Sequence, residues 1–191
     1  MSSDVRLIEP SPKFEAAYKA FTREFRDADK EDYLTLWDEA TTNFPAYLRR
    51  LAGEADGENL PEGYVPQNTY WLVDEAGEVV GEIRVRHRLT PKLEDFGGHI
   101  GYTVRPSRRR KGCGTRMLAL AMEKAPGLGL KRLLITCDPA NVASARIIEK
   151  NGGRLTSRSI AYNGRLTSRY WIDLAANAGR RRSRKPGAGS P

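Results

Sequence analysis

The chain opens with a short run of alternating apolar and polar residues, Val5–Glu9, stopped by Pro10 and Pro12, which reads as a strand. Lys13–Arg26 changes period. Phe14, Ala17, Tyr18, Phe21 and Phe25 recur at helical spacing, so an amphipathic helix is predicted. Tyr33–Leu51 is predicted to be helical in part, interrupted by Pro45, and Ala52–Pro66, rich in Gly, Glu, Asp and Pro, is predicted to be a loop. Thr69–Asp74 and Val79–Arg88 read as strands around the turn Glu75–Glu78, and Gly98–Val104 as another strand. Gly114–Ala125 has Met117, Leu118, Ala121 and Met122 on one helical face. Arg132–Cys137 is a short apolar run of the kind found in buried strands. Asn141–Asn151 is a helix closed by Gly152 and Gly153, and Arg154–Tyr162 and Arg165–Leu174 flank the hairpin signal Asn163-Gly164. The order is that of a mixed α/β domain. GRLTSR occurs at 153–158 and again at 164–169, too short for a repeat architecture, and is read as two similar strands of one hairpin.

Length and composition narrow this picture. A chain of 191 residues with 39% hydrophobic content suits one domain over 1–174, followed by a basic tail, 175–191, with no apolar periodicity and an expectation of disorder. There is no run of eighteen apolar residues and no signal-peptide pattern at the N-terminus, so a cytoplasmic protein without a membrane span is expected. Cys113 and Cys137, with no CxxC and no nearby His pair, argue against a disulfide framework or a metal site. Arg180, Arg181, Arg182, Arg184 and Lys185 supply five of the net +8, leaving +3 for the remainder. A second basic cluster, Arg105, Arg108, Arg109, Arg110, Lys111 and Arg116, sits mid-chain, whereas Glu24, Asp27, Asp29, Glu31, Asp32, Asp38 and Glu39 make the N-terminal third acidic. An anionic ligand is expected at the basic centre, and a cationic one is conceivable near the acidic stretch.

The chemistry concentrates in Val104–Thr115, where a strand ends, a Gly-containing loop follows and an amphipathic helix begins. The first turn of a helix offers unpaired N–H groups and the positive end of the dipole. Gly112 and Gly114 let an oxyanion approach the backbone, and the flanking Arg and Lys add charge-assisted bonds, an arrangement that suits a pyrophosphate. A dinucleotide fingerprint would need Gly where Met117 stands, and a Walker loop would need a Gly-Lys-Ser/Thr string that the chain lacks.

Arg109-x-x-Gly112-x-Gly114 after Val104-x-Pro106, followed by Asp138-x-x-Asn141-x-x-Ser144 and Glu149-Lys150-Asn151-Gly152-Gly153, resembles the coenzyme A site of the GNAT acetyltransferase superfamily. Gly98–Gly153 and Arg169-Tyr-Trp-Ile172 also resemble a group of small bacterial acetyltransferases within it; the likeness is close over 61–172 and faint before. The resemblance implies a central, mostly antiparallel sheet with helices on both faces and a C-terminal hairpin. It implies acetyl-CoA as co-substrate, no metal, and a primary amine of a small molecule or peptide as acceptor, attacking the thioester directly. It places coenzyme A against Tyr102, Val104, Arg109, Arg110, Lys111, Gly112, Cys113, Gly114 and Thr115, with Asn141, Ser144 and Ile148 on the following helix. A homodimer is left open as a partner.

Many members carry a Tyr as thiol-directed acid where this chain has Ile148, so Ser144 is the nearest hydroxyl for that role and Asn141 a supporting group. His99, near where the family often places a Glu, is the candidate base, with Glu82, Thr136 and Tyr102 behind it. Alternation puts His99, Gly101 and Thr103 on one strand face and Ile100, Tyr102 and Val104 on the other, so a bulge would be needed for both to serve the thioester. Glu82 shares a face with Arg84 and Arg86 that reads as solvated. Two other functions compete: an acyl-CoA-binding protein that has lost catalysis, suggested by Ile148, and a basic nucleic-acid-binding module, suggested by the tail and loop and opposed by the absence of interleaved aromatics or a known motif.

Overall fold

The computed structural model describes residues 4–26 and 34–176, with the side chains of 26 and 34–37 excepted. Strand β1 (Val5–Ile8) and a 3₁₀ turn at Pro12–Phe14 precede helix α1 (Glu15–Arg26). Helices α2 (Leu34–Thr42) and α3 (Phe44–Asp56) follow, then strands β2 (Gln67–Asp74) and β3 (Val79–Arg86), the short helix α4 (Pro91–Asp95) and strand β4 (Ile100–Val104). The remainder is α5 (Cys113–Lys124), β5 (Arg132–Cys137), α6 (Val142–Lys150), and the hairpin β6 (Arg154–Ile160) and β7 (Leu166–Asp173).

The strands form two antiparallel sheets, ordered β1-β2-β3-β4 and β5-β7-β6. Among the described residues they are joined at the start of β4. His99 N–H donates to Leu134 O at 2.8 Å, Leu134 N–H donates back to His99 Nδ1 at 2.9 Å, and Gly97 N–H donates to Thr136 Oγ1 at 2.9 Å. Beyond this joint β4 and β5 belong to separate sheets, with no ladder between them. Gly98 makes the joint possible. Its φ is +61°, and a Cβ there would come within 2.4 Å of Leu134 O, so only glycine lets the chain lie this close to β5.

Both faces of the β1–β4 sheet are covered by helices, and α5 also packs on β5. Met117, Leu118 and Ala121 of α5 bury against Leu72, Ile83 and Ile135 on one face. Tyr18, Phe21 and Phe25 of α1 and Phe44, Tyr47 and Leu51 of α3 bury against Trp71 and Val73 on the other. Every one of these side chains is at most 5% exposed, so each, Ala121 apart, contributes about 1.5–3 kcal/mol of apolar burial, with the aromatics at the upper end.

Several expectations are corrected. Pro45 does not interrupt a helix but starts one. It occupies the first turn of α3, where its missing N–H costs nothing, and Asn43 Oδ1 caps the turn by accepting Ala46 N–H at 3.0 Å. Helix α3 then runs to Asp56, through the first part of the expected loop, and ends at Gly57 with φ +79°. Helix α4 is an addition to the expected elements; Thr90 Oγ1 accepts Leu93 N–H at 3.3 Å ahead of Pro91 and nucleates it. Glu82 is not solvated. It is 4% exposed, and its Oε2 accepts Tyr18 Oη–H at 2.7 Å and Trp71 Nε1–H at 3.3 Å, while Oε1 takes Arg84 Nη2–H at 2.9 Å. Of the acidic stretch, Glu24 pairs with Arg105 at 2.5 Å and Glu39 with Arg50 at 2.7 Å; Asp27, Asp29, Glu31 and Asp32 lie outside the described residues. Of the expected tail, Ala175 and Ala176 belong to a last helical turn, and residues 177–191 lie outside the described part.

Candidate active site

Residues of both β4 and β5 line a cavity of about 970 Å³ that reaches from the Val104–Thr115 loop to Arg86, Phe96 and Gly97. In β4 the odd-numbered residues face β3, as shown by Arg86 N–H to His99 O (2.8 Å) and Arg105 N–H to Val80 O (3.0 Å). By alternation, the backbone groups of Ile100, Tyr102 and Val104 turn toward the cavity. The Val104 carbonyl shows this directly, since it accepts from Arg109 Nε at 3.2 Å rather than from β3.

At one end of the cavity the loop presents the N-terminus of α5. The first intrahelical amide there is Arg116, which donates to Gly112 O at 3.0 Å, so Cys113, Gly114 and Thr115 N–H have no partner within the helix. Arg110 (φ +59°) and Gly112 (φ +83°) both adopt the left-handed conformation that folds successive amides into an anion-holding concavity. A non-glycine residue held at positive φ is the kind of strain that clusters at ligand clamps. Gly114 is buried, and a Cβ there would meet Ile147 Cδ1 at 2.6 Å, so α5 packs closely on α6. The cations divide in two. Arg105 and Arg108 are spent on Glu24, Glu78 and Asp74, whereas Arg109, Arg110 and Lys111 make no ion pair among the described residues. Arg146 and Lys150 of α6 add two more positive groups to the cavity wall.

The middle of the cavity carries a hydroxyl pair. Tyr102 Oη and Ser144 Oγ stand 2.8 Å apart and join β4 to α6. Burial pushes the Tyr102 phenol up to about 12, partly offset by its bond to Ser144. Asn141 caps α6, its Oδ1 accepting Ser144 N–H at 3.0 Å, and so fixes the serine at the head of the helix. Cys137 lines the same wall, its thiol pushed up by burial.

Tyr102, Val104, Arg109, Arg110, Gly112, Cys113, Gly114, Thr115, Asn141 and Ser144 therefore all line one cavity, and Lys111 lies beside it with Nζ on Ser107 O at 3.1 Å. Two expected site residues stand elsewhere. Ile148 is fully buried in the core against Gly153, because α6 turns Ile147 and not Ile148 to the cavity. His99 is 6% exposed and does not line the cavity. Its Nδ1 lone pair is occupied by the Leu134 amide, so Nε2 carries the proton of the neutral ring. Burial, then Arg86 and Arg132, hold its pKa down at about 4. This side chain closes the joint between the sheets and has no free lone pair for a substrate amine, and β4 shows no bulge that would re-aim it. Arg86, Phe96, Arg146, Lys150 and Arg165 line the cavity without having been singled out for it. For Arg86 a signal existed: charged residues at 82, 84 and 86 in a strand with apolar residues between them mark one face of an interior strand as polar.

Among the described residues no helix is long and apolar enough to cross a membrane, and no group of His, Cys, Asp and Glu is placed to hold a metal. Known proteins share this architecture. RimJ from Mycobacterium smegmatis, solved in complex with CoA-disulfide, is 18% identical with a TM-score of 0.68, covering 94% of this chain and 90% of that one. RimL, a ribosomal L7/L12 alpha-N-protein acetyltransferase solved in complex with coenzyme A as a disulfide with one of its own cysteines, is 16% identical with a TM-score of 0.65, covering 92% and 97%. The acetyltransferase yncA from Salmonella typhimurium, solved with acetyl-CoA, is 17% identical with a TM-score of 0.57, covering 91% and 95%. No curated protein matches the sequence. The profile of the Acetyltransferase (GNAT) domain matches residues 20–154, and the chain belongs to the GNAT acetyltransferase family.

Proposed function

We propose that the protein transfers an acetyl group from acetyl-CoA to a primary amine by direct attack within the β4–β5 cleft. The observation that carries this reading is the loop at the head of α5. Three helix-start amides, two left-handed residues and three cations that make no ion pair among the described residues gather at or beside one end of a cavity of about 970 Å³. These residues fit the pyrophosphate of coenzyme A, with Arg109, Arg110 and Lys111 supplying charge and Cys113–Thr115 supplying N–H donors. Acetyl-CoA supplies the acetyl group as a thioester and carries its thiolate away.

The chain's own residues do the rest. The inward-facing backbone of Ile100, Tyr102 and Val104 positions the thioester arm as an added strand would and offers N–H donors to the carbonyl oxygen as it gains charge. Ser144, held by Asn141 and hydrogen-bonded to Tyr102, donates to the departing sulfur from the α6 side. The high pKa of Tyr102 keeps that phenol protonated, so the pair can supply a donor across the whole physiological range.

Among the described residues the cavity wall holds a single carboxylate, Asp138, whose Oδ1 is engaged by Ala140 N–H at 2.7 Å. With His99 engaged as well, the amine sheds its proton to water on entering the cleft. An ordinary alkylamine is neutral in about one molecule in a thousand near pH 7, whereas an α-amine of pKa ~8 is neutral in about one in ten, so this route favours weakly basic amines. The test is free-thiol release from acetyl-CoA against a panel of amines, amino acids and peptides, with mass spectrometry of the product. One added acetyl group on nitrogen is expected. Tight acetyl-CoA binding with no product from any amine would favour the reading as a binding protein without catalysis.

A further inference from the structure

Arg86 ends β3, and strand alternation places it with Glu82 and Arg84 on the α1–α3 face, opposite the side that carries α5, Tyr102 and Ser144. Its Nη1 donates to the carbonyl oxygens of Gly97 at 3.2 Å and Gly98 at 3.0 Å. Those two residues are themselves pinned, Gly97 by Thr136 Oγ1 and Gly98 by its close approach to Leu134. The guanidinium is thus held rigidly in the cavity wall beside Phe96 and Thr136.

Among the described residues Nη1 alone makes a hydrogen bond. Among the described residues Nε and Nη2 have no acceptor, and no carboxylate lies within ion-pair distance of Arg86. The nearby carboxylates are already committed: Glu82 to Arg84, and Asp95 to Arg169. Burial, and then the charge of Arg84, lower the proton affinity of Arg86, the mark of a cation without a counterion. Arg165, from the β6–β7 turn, adds a second positive group to the cavity lining. A half-buried, unpaired guanidinium is costly unless something anionic completes it, and the Nε/Nη2 edge is one that grips a carboxylate through two parallel bonds.

We propose that the acceptor is a primary amine bearing a carboxylate, and that Arg86 binds this carboxylate through Nε and Nη2 on the α1–α3 side of the cleft. The inference rests on the acetyl-transfer reading above. The same positive field opposes polyamines and disfavours the ammonium form of any acceptor, which is the direction required where no side chain acts as base.

The test uses matched acceptors with acetyl-CoA: an Asp-initiated tripeptide amide against its Asn-initiated counterpart, free glutamate against glutamine amide, and spermidine as a polycation. The acidic member of each pair is expected to show kcat/KM at least about tenfold higher, and spermidine the lowest value. Turnover of glutamate alone marks a small-molecule acceptor and of the Asp peptide alone a chain N-terminus; either supports the proposal. Arg86→Gln should erase the preference by raising KM for the acidic member only, with melting temperature and acetyl-CoA titration reporting that the variant is folded. Because Nη1 also supports the Gly97–Gly98 turn, Arg86→Lys is the second variant; it keeps the charge, loses the fork and should retain part of the preference. Equal or better turnover of the amides or of spermidine overturns the proposal while leaving acetyl transfer standing. Acetyl-CoA binding without turnover of any acidic amine overturns it too. Failure to bind acetyl-CoA overturns the reading on which it rests.

Discussion

Tyr102 and Ser144 are 42 residues apart in sequence, yet their hydroxyl oxygens stand 2.8 Å apart and tie β4 to α6 across the cleft. Where the resemblance implies a phenol on α6 the chain has the buried Ile148, while a phenol from β4, Tyr102, lines the cavity wall. Ser144→Ala should therefore lower kcat by roughly ten- to a hundredfold with little change in acetyl-CoA affinity, and Tyr102→Phe should lower it less, since Ser144 keeps its own O–H. Steady-state kinetics beside a binding titration separates the two effects. The folded pKa of Tyr102, about 12, lies above the unfolded value near ~10. Its contribution to stability is thus complete below pH ~10 and lost as pH rises toward 12, and neither kcat nor stability should show a Tyr102 titration below that window.

His99 gives the opposite sign. Its pKa is about 4 in the folded chain against ~6.5 unfolded, so its stabilising effect is complete above pH ~6.5 and is lost as pH falls toward 4. Over that window melting temperature should fall by an amount that corresponds to on the order of 2 kcal/mol, and His99→Gln should flatten that dependence. His99→Ala leaves the Leu134 amide without an acceptor and should cost roughly 1–3 kcal/mol; His99→Asn, which can return an acceptor near the Nδ1 position, should recover part of it. Because the ring is not a base here, kcat/KM of the Asn variant should keep the wild-type pH profile. Loss of the acidic limb in that variant would restore the base role to His99.

The buried cluster under the cleft makes a third case. Glu82 takes hydrogen bonds from Tyr18, Trp71 and Arg84, and burial and the Glu82 charge hold the Tyr18 phenol far above its ordinary pKa. Glu82→Ala strips a partly buried guanidinium and three ring donors, Tyr18, Tyr47 and Trp71, of their acceptor and should cost roughly 3–5 kcal/mol, read by denaturant unfolding. Glu82→Gln, which keeps an acceptor for the phenol but loses the charge facing Arg84, should cost less. If Glu82→Ala unfolds at the wild-type denaturant concentration, the cluster is not holding α1 and α3 to the sheet.

What is legible in the sequence is what is local in it. The loop at the head of α5 can be read because its amides, glycines and cations all fall within Arg109–Thr115, and the cap Asn141–Ser144 spans one turn. The hairpin is likewise legible in Asn163-Gly164, with Gly164 at φ +77°, but its register is not: Ala161 N–H donates to Arg165 O at 2.9 Å and Ile160 faces Leu166, so the loop is one residue longer than a two-residue turn. The remainder depends on pairings that no short window contains. Glu82 reads as solvated because its partners Tyr18 and Tyr47 lie 64 and 35 residues upstream. His99 reads as a base because nothing in its own strand shows that Leu134 N–H occupies Nδ1. Ile148 is placed by analogy with a phenol, whereas one position of helical rotation, about 100° away, sends Ile147 to the cavity and Ile148 to the core. Helix α4 is different, since Thr90-Pro91 is a local capping signal that lies in plain view between two strands.

The central claim is that the α5 loop holds the pyrophosphate of acetyl-CoA, and isothermal titration of acetyl-CoA into the wild-type protein and Gly112→Asp tests it most directly. Position 112 sits at φ +83°, where an aspartate is strained, and its carboxylate would oppose the phosphates among Cys113–Thr115 N–H. The wild type should bind with one site per chain, and the variant, folded by its melting curve, should bind at least about a hundredfold more weakly, the equivalent of about 2.7 kcal/mol. A folded Gly112→Asp protein that binds acetyl-CoA as tightly as the wild type would contradict the assignment of this loop.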